Sequence, residues 1–98
     1  MKVRLSRRAE RAIKRIDERW RAGADHPDVF LREVLDAITY LETVTSPGTP
    51  CPTSRRRRLK RLLLAKSKCH VYFETAERED AIEVLTVWDG RRERPPQL

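Results

Sequence analysis

Two neighbouring stretches in the C-terminal part of this sequence constrain the fold most. Cys69 to Thr75 is rich in β-branched and aromatic residues, and Ala81 to Trp88 alternates with a period of two. That alternation is typical of a pleated strand. The segment between them, Ala76 to Asp80, is almost wholly charged, as a solvated loop would be. The sequence therefore predicts a β-hairpin, and the rest of the chain has to cover one of its faces.

Two amphipathic helices are predicted ahead of the hairpin. In the first, apolar residues recur at helical spacing from Ala9 to Trp20. Ser6 is a suitable N-cap, because its hydroxyl can accept from a backbone N–H of the first turn. Gly23 is placed to end this helix as a left-handed cap. One side of the helix should pack, and the other should be a solvated and mostly cationic face.

Residues 25–28, Asp-His-Pro-Asp, predict the start of the second helix. Asp25 or His26 would cap it, and Pro27 would stand in its first turn, where a missing N–H costs nothing. The helix should run to about Val44 and supply the main apolar cover of the sheet. Because few residues separate the two helices, we expect an antiparallel helical hairpin.

A stiff loop and a further strand complete the predicted fold. Three prolines in residues 46–54 exclude a helix or a central strand there, and Leu59 to Ala65 is predicted as a strand. With a short strand around Val3, the order is β-α-α-β-β-β. We predict an α+β fold in which a helical hairpin covers one face of a small, mostly antiparallel sheet. Residues 1–92 would form the single domain and residues 93–98 an extended C-terminal tail.

Charge and composition narrow the classes of function. The 98 residues include 22 Lys and Arg against 15 Asp and Glu, a net charge of +7. That excess favours a polyanionic partner, which could be RNA, DNA or an acidic protein segment. The longest aliphatic run, Leu62 to Ala65, is far too short to span a membrane, and no apolar core follows the basic N-terminus to make a signal peptide. We therefore expect a cytoplasmic protein with reduced cysteines.

The densest charge lies in four consecutive arginines just before the strand predicted from Leu59 to Ala65. They can contact nucleic acid or an acidic protein segment, or they can simply solvate a loop. No glycine-rich phosphate loop is present, and the histidines and cysteines lack metal-ligand spacing. We expect neither a cofactor nor a metal. The residues predicted to contact a target are Arg55, Arg56, Arg57, Arg58, Lys60, Arg91 and Arg92.

Five short blocks occur in this chain in a recognisable order and spacing: Val3 to Ser6, Arg61 to Leu64, His70 to Phe73, Ile82 to Trp88, and Gly90 to Arg92. Together with the order of elements, these blocks resemble the RelE/ParE superfamily of toxins from type II toxin–antitoxin modules. The resemblance extends over nearly the whole chain. It implies a small toxin whose antitoxin wraps its surface, with two known activities: RelE-like members cleave mRNA in the ribosomal A site, and ParE-like members block DNA gyrase.

One position distinguishes the two activities. Asp89 stands where many RelE-like relatives have histidine, and neither tyrosine nor histidine follows Trp88. A carboxylate there would be ionised and would repel a phosphate. The leading hypothesis is therefore a ParE-like toxin that binds gyrase without being an enzyme. If the chain is instead a RelE-like ribosome-dependent endonuclease, its predicted catalytic residues are Arg61, Lys66, His70 and Arg91.

A third hypothesis is an inactive paralogue that only binds the antitoxin. The antitoxin itself, a partner under all three hypotheses, would use apolar residues left on the helical hairpin, since an exposed apolar stripe on a small domain usually indicates a partner. The residues predicted for that contact are Ile16, Trp20, Leu31 and Tyr40. The partners are thus the antitoxin and either gyrase or the ribosome with its mRNA, and no membrane.

Overall fold

Five strands and two helices make up the fold in a computed structural model that describes residues 1–23, 25–44, 47–51, 55–56, 58–92 and 94–98, without the side chain of residue 77. The predicted order β-α-α-β-β-β is confirmed, and a two-residue strand is added ahead of the second predicted strand. The elements are β1 (Lys2–Leu5), α1 (Arg7–Gly23), α2 (Val29–Thr43), β2 (Thr49–Pro50), β3 (Lys60–Leu64), β4 (Cys69–Ala76), a 3₁₀ turn (Glu77–Glu79) and β5 (Ala81–Asp89).

The predicted hairpin of β4 and β5 lies at the centre of a single sheet with the order β1-β5-β4-β3-β2. β1 pairs with β5 in parallel, and the other neighbours are antiparallel. The register shifts between Tyr72 and Phe73, which pair with Thr86 and Val84. Leu85 is therefore an extra residue on β5, as in a β-bulge.

Both helices pack on one face of this sheet, where Phe30 and Phe73 are completely buried. Full burial of one such side chain stabilises a fold by about 1.5–3 kcal/mol. The opposite face carries a smaller cluster formed by Leu59, Tyr72 and Leu85. We call that side the open face of the sheet. It is the side on which target-binding side chains can be displayed.

Ser6 begins α1 as predicted. Its Oγ accepts from the backbone N–H of Ala9 at 3.0 Å and donates to the carbonyl of Leu85 at 2.8 Å. The cap thus also fixes the start of α1 against β5. Gly23, predicted to be a left-handed cap, is instead the last residue of α1, and among the described glycines only Gly48 has a positive φ, 80°.

The start of α2 differs from the prediction. Asp28 is its N-cap residue and makes no side-chain cap, so neither Asp25 nor His26 has that role, and Pro27 precedes the helix. The carboxylate of Asp28 instead accepts from Arg21 at 3.2 Å. The ion pair uses Oδ1 of Asp28, and it ties the end of α1 to the start of α2.

Neither α1 nor α2 combines the length and the apolar character that a bilayer crossing requires; this holds for the part of the chain that the structure describes.

Candidate target-binding surface

The predicted basic residues of β3 separate onto the two faces of the sheet. Arg61 pairs with Tyr72, which belongs to the cluster on the open face, whereas Lys60 pairs with Phe73 in the core beneath the helices. Successive side chains of a strand point to opposite faces. Lys60 and Arg61 are adjacent in the sequence, but their side chains therefore lie on opposite faces of the sheet.

His70 lies beside Tyr72 and Arg61 on the open face. The ring centroids of His70 and Tyr72 are 6.2 Å apart and the rings are tilted by 59°. Burial lowers the pKa of the His70 imidazole, and the positive charge of Arg61 lowers it further. A neutral imidazole is the consequence near neutral pH, since the ordinary pKa is about 6.5. It could accept a proton, but it carries no charge to attract a phosphate.

Gly90 forms the wall next to this histidine. Its N–H donates to the carbonyl of Lys68 at 2.9 Å. A Cβ at this position would lie 2.2 Å from that carbonyl oxygen and 3.2 Å from Cε1 and Nδ1 of His70. Only glycine fits so close an approach. The end of β5 is thereby held against the start of β4, and the backbone of Gly90 lies beside the ring of His70.

Asp89 and Arg91 lie on the other side of the sheet. Asp89 pairs with buried Cys69 in the register of β4 and β5, and it lines a groove beside α1 together with Arg91 and Arg19. Burial raises the pKa of the Asp89 carboxyl, but hydrogen bonds from Arg91 outweigh burial, so the pKa lies below its usual value. Asp89 is thus ionised, and its charge is already neutralised by Arg91.

The four residues predicted for RNA cleavage are therefore only partly brought together. Arg61 and His70 share the open face, whereas Arg91 lies on the α1 side. Lys66 is exposed in the turn between β3 and β4. No single face presents all four side chains to one phosphate.

Sequence reasoning missed Glu33, which holds that turn in place. The two oxygens of its carboxylate accept from the backbone N–H groups of Lys66 and Ser67, each at 2.8 Å. Glu33 belongs to α2, so a helix residue fixes the connection between two strands. No signal in the sequence distinguishes Glu33 from Asp36 and Glu42, the other carboxylates of α2.

The arginine-rich segment borders the open face. Arg56 donates to Glu74 of β4 at 2.9 Å, and Arg55 lines a groove of about 570 Å³ with Leu59 and Tyr72. Arg58 is exposed, and Arg57 lies outside the described residues. Arg55 and Arg56 thus lie at the open face. Their role in contacting a target stays a prediction.

Residues 94–98 complete the wall of that groove. Trp88 Nε1–H donates to the carbonyl of Arg94 at 2.8 Å, and Arg8 donates to the carbonyl of Gln97 at 2.9 Å. Leu98 packs on the cluster of the open face. Arg92 lies over the Trp88 ring, 4.6 Å from its centroid. The apolar Leu98 and the polar edge of Trp88 were the signals in the sequence for this contact.

The residues predicted for the antitoxin fall in two places. Ile16 is only 5% exposed and Trp20 is half-buried, and both line the groove between α1 and the end of β5. Leu31 is half-buried and Tyr40 is exposed on α2. They are nine positions apart, which places them on opposite sides of that helix. We call the groove lined by Ile16, Arg19, Trp20, Asp89 and Arg91 the α1 groove.

Cys51 and Cys69 are both free thiols, and burial raises the pKa of each. Within the described residues, no three His, Cys, Asp or Glu side chains gather as a metal site would require.

Comparison with known proteins identifies the fold and the family. The family model described as "ParE toxin of type II toxin-antitoxin system, parDE" matches residues 3–94. A solved structure, "Chromosomal ParDE TA system from P. aeruginosa", is similar with a TM-score of 0.69 and 17% identity, over 91% of this chain and 95% of that chain. No curated protein matches this sequence.

Proposed function

The chain belongs to the ParE toxin family of type II toxin–antitoxin systems, and we propose that it inhibits growth by binding and poisoning DNA gyrase. A cognate antitoxin would neutralise it. Because gyrase acts on the chromosome, the toxin would work in the cytoplasm. Its action would be stoichiometric binding rather than catalysis.

The arrangement at the end of β5 is the observation that carries the choice of gyrase over RNA cleavage. Ribosome-dependent cleavage needs an acid, a base and cations around one phosphate. In this chain Asp89 and Arg91 neutralise each other on the α1 side, away from His70 and Arg61. An arginine whose charge is compensated by a neighbouring carboxylate attracts a phosphate only weakly.

The α1 groove supports the antitoxin part of the proposal. Its wall combines the apolar Ile16 and Trp20 with the cationic Arg19. Such a surface suits a segment that brings both apolar anchors and carboxylates. The similar solved structure is titled as a ParDE toxin–antitoxin system, so a protein of this fold is associated with an antitoxin in that case.

A gyrase assay with purified protein tests the proposal. We expect inhibition of supercoiling and accumulation of cleaved DNA, both relieved by the antitoxin encoded beside the gene. The variant His70→Ala should inhibit as well as the native chain, because the imidazole would have no part in binding gyrase. Unaffected gyrase at saturating, folded toxin contradicts the proposal. If expression is also harmless to cells, the chain is an inactive antitoxin-binding paralogue.

Cleavage of mRNA on the ribosome is the second candidate, and one observation favours it. His70, Tyr72 and Arg61 are adjacent on the open face, where a neutral imidazole could act as a base. Primer extension on translated message decides between the candidates. Cuts within codons that disappear in His70→Ala and persist in Cys51→Ala would support an endonuclease; intact message removes this candidate.

A further inference from the structure

The outward face of α1 carries a row of arginines that neither the family nor the proposed function explains. Arg8, Arg11, Arg15 and Arg19 are all exposed and recur every three or four residues. That spacing places them on one side of a helix. We call these four residues the α1 arginine row. At 1.5 Å per residue the row extends over about 16 Å.

The arginines of the row are available for a ligand. Arg8 donates to the backbone carbonyl of Gln97. In the part of the chain that the structure describes, no carboxylate lies within ion-pair distance of Arg11, Arg15 or Arg19. Arg19 is attracted by the charge of Asp89, which lines the α1 groove with it. Guanidinium groups held in one row repel one another, and a polyanion would relieve that repulsion.

Two acidic residues flank the row without breaking it. Glu10 and Glu18 are exposed on α1, and Glu18 lines a groove of about 540 Å³ with Arg8, Arg11 and Arg15. On a helix of 3.6 residues per turn, Glu18 falls about 60° to the side of Arg15, at nearly the same angle as Arg11 two turns earlier, and Glu10 falls about 100° from Arg11. Glu18 therefore borders the row on one side, and the four arginines outnumber it.

The composition of the face distinguishes a nucleic acid from a protein partner. From Arg7 to Arg19, every exposed residue of α1 is charged. Protein interfaces need apolar or aromatic anchors that leave water on binding, and this stretch offers none. A regular array of phosphates needs only cations. The face also lacks exposed aromatics on which the bases of a single strand would stack.

We propose that the α1 arginine row binds the phosphate backbone of duplex DNA without reading its sequence. The choice of DNA over RNA rests on the proposed function, because gyrase works on duplex DNA. The toxin would then contact the DNA segment as well as the enzyme that holds it. Arg19 also lines the α1 groove, so the row meets that groove at one residue, and the open face stays available for protein partners.

Binding of a short mixed-sequence DNA duplex to the purified full chain, without gyrase, tests the proposal. The triple variant R11Q/R15Q/R19Q is compared with the control K2Q/R32Q/R78Q, which removes equal charge from exposed positions elsewhere. We expect the row variant to lose at least about tenfold in affinity. The slope of log K against log salt should become shallower by about one for each arginine removed, but only in the row variant.

Four outcomes overturn the proposal. The first is an equal loss of DNA affinity in the row and control variants, and the second is no binding of DNA by the native chain at about 50 mM salt. The third is tighter binding of duplex RNA than of duplex DNA. The fourth is displacement of the DNA by polyglutamate at equal charge. Circular dichroism and thermal unfolding confirm that both variants fold. Since the assay contains no gyrase, a chain that binds DNA but leaves gyrase unaffected refutes only the proposed function.

Discussion

Asp89 forms an ion pair with Arg91, two residues farther along the chain. The backbone N–H of Arg91 donates to Oδ1 of Asp89 at 3.0 Å, and the guanidinium donates to Oδ1 at 3.2 Å and to Oδ2 at 3.3 Å. The aspartate side chain is 11% exposed and the arginine side chain 71%. The pair closes the turn after β5 and directs Arg91 towards the α1 groove.

Acid should weaken this pair. Its carboxyl has a lower pKa in the folded chain than in the unfolded one, where an aspartate titrates near about 3.9. The pair therefore stabilises the fold fully above that pH, and its contribution is lost as pH falls through the lower folded pKa. We expect Asp89→Asn to cost about 1 kcal/mol at pH 7, because the exposed arginine is well solvated.

Urea unfolding at several pH values measures this effect. The difference between the native chain and Asp89→Asn should shrink below about pH 4. Asp36→Asn, at an exposed position of α2, serves as the control and should change stability little. A constant difference down to strongly acidic pH would show that the aspartate acts through packing and not through its charge.

Histidine at position 89 should not create a nuclease. The register places residue 89 opposite Cys69, beneath the helix side of the sheet, whereas His70 and Arg61 occupy the open face. Asp89→His would lose the hydrogen bonds to Arg91 without bringing an imidazole to Arg61. We expect Asp89→His to be less stable and to cleave no mRNA in primer extension. Cleavage by this variant would contradict the placement of the two faces.

The hairpin and the order of elements were predictable because their signals are local. The alternation from Ala81 to Trp88 marks β5, and the recurrence of apolar residues marks α1. Ser6 was identifiable as a cap for the same reason, since its partner Ala9 is three residues away. Each of these features depends on residues that are close together in the sequence.

Features that depend on distant partners were not predictable. Asp28 pairs with Arg21 of the preceding helix, so a local capping rule assigned the start of α2 wrongly. The RelE-like resemblance groups Arg91 with His70 as a cation and a base around one phosphate, but Arg91 follows β5 on the α1 side of the sheet. Glu33 contacts residues more than thirty positions away, and no short-range pattern reveals such a contact.

Gly90 should be intolerant of any side chain. Its Cβ would overlap the carbonyl oxygen of Lys68, and neither of these backbone segments can yield without breaking the pairing of β4 with β5. We expect Gly90→Ala to cost about 1–3 kcal/mol in free energy of unfolding, the range typical of overpacking. Gly23→Ala is the matched control: nothing lies within 4 Å of its Cβ, and alanine in a helix should add up to about 1 kcal/mol. Equal effects of the two substitutions would contradict the close approach.

Glu33 should contribute to stability through the turn it holds. Removing its carboxylate in Glu33→Ala leaves the N–H groups of Lys66 and Ser67 without an acceptor, and Ser67 is buried. We expect a loss of about 2 kcal/mol in chemical unfolding, as for hydrogen bonds to a charged group. Asp36→Ala on the same helix removes an exposed carboxylate and is the control. Faster amide exchange at residues 66 and 67 should accompany the loss; unchanged exchange there would refute the contact.

The imidazole of His70 should titrate below its ordinary range in nuclear magnetic resonance spectra. Burial is the main cause of the lowered pKa, and the charge of Arg61 adds to it. Arg61→Gln should therefore raise the pKa part of the way towards about 6.5. Lys60→Gln removes the same charge from the other face of β3 and should leave it unchanged. Folding lowers the pKa of His70, so the unfolded chain binds a proton more readily than the folded chain. The lowered pKa therefore does not change the stability above about pH 6.5, and the stability falls as pH drops below that value. An equal shift in both variants would mean that Lys60 and Arg61 act on His70 from the same side of the sheet, contrary to the register.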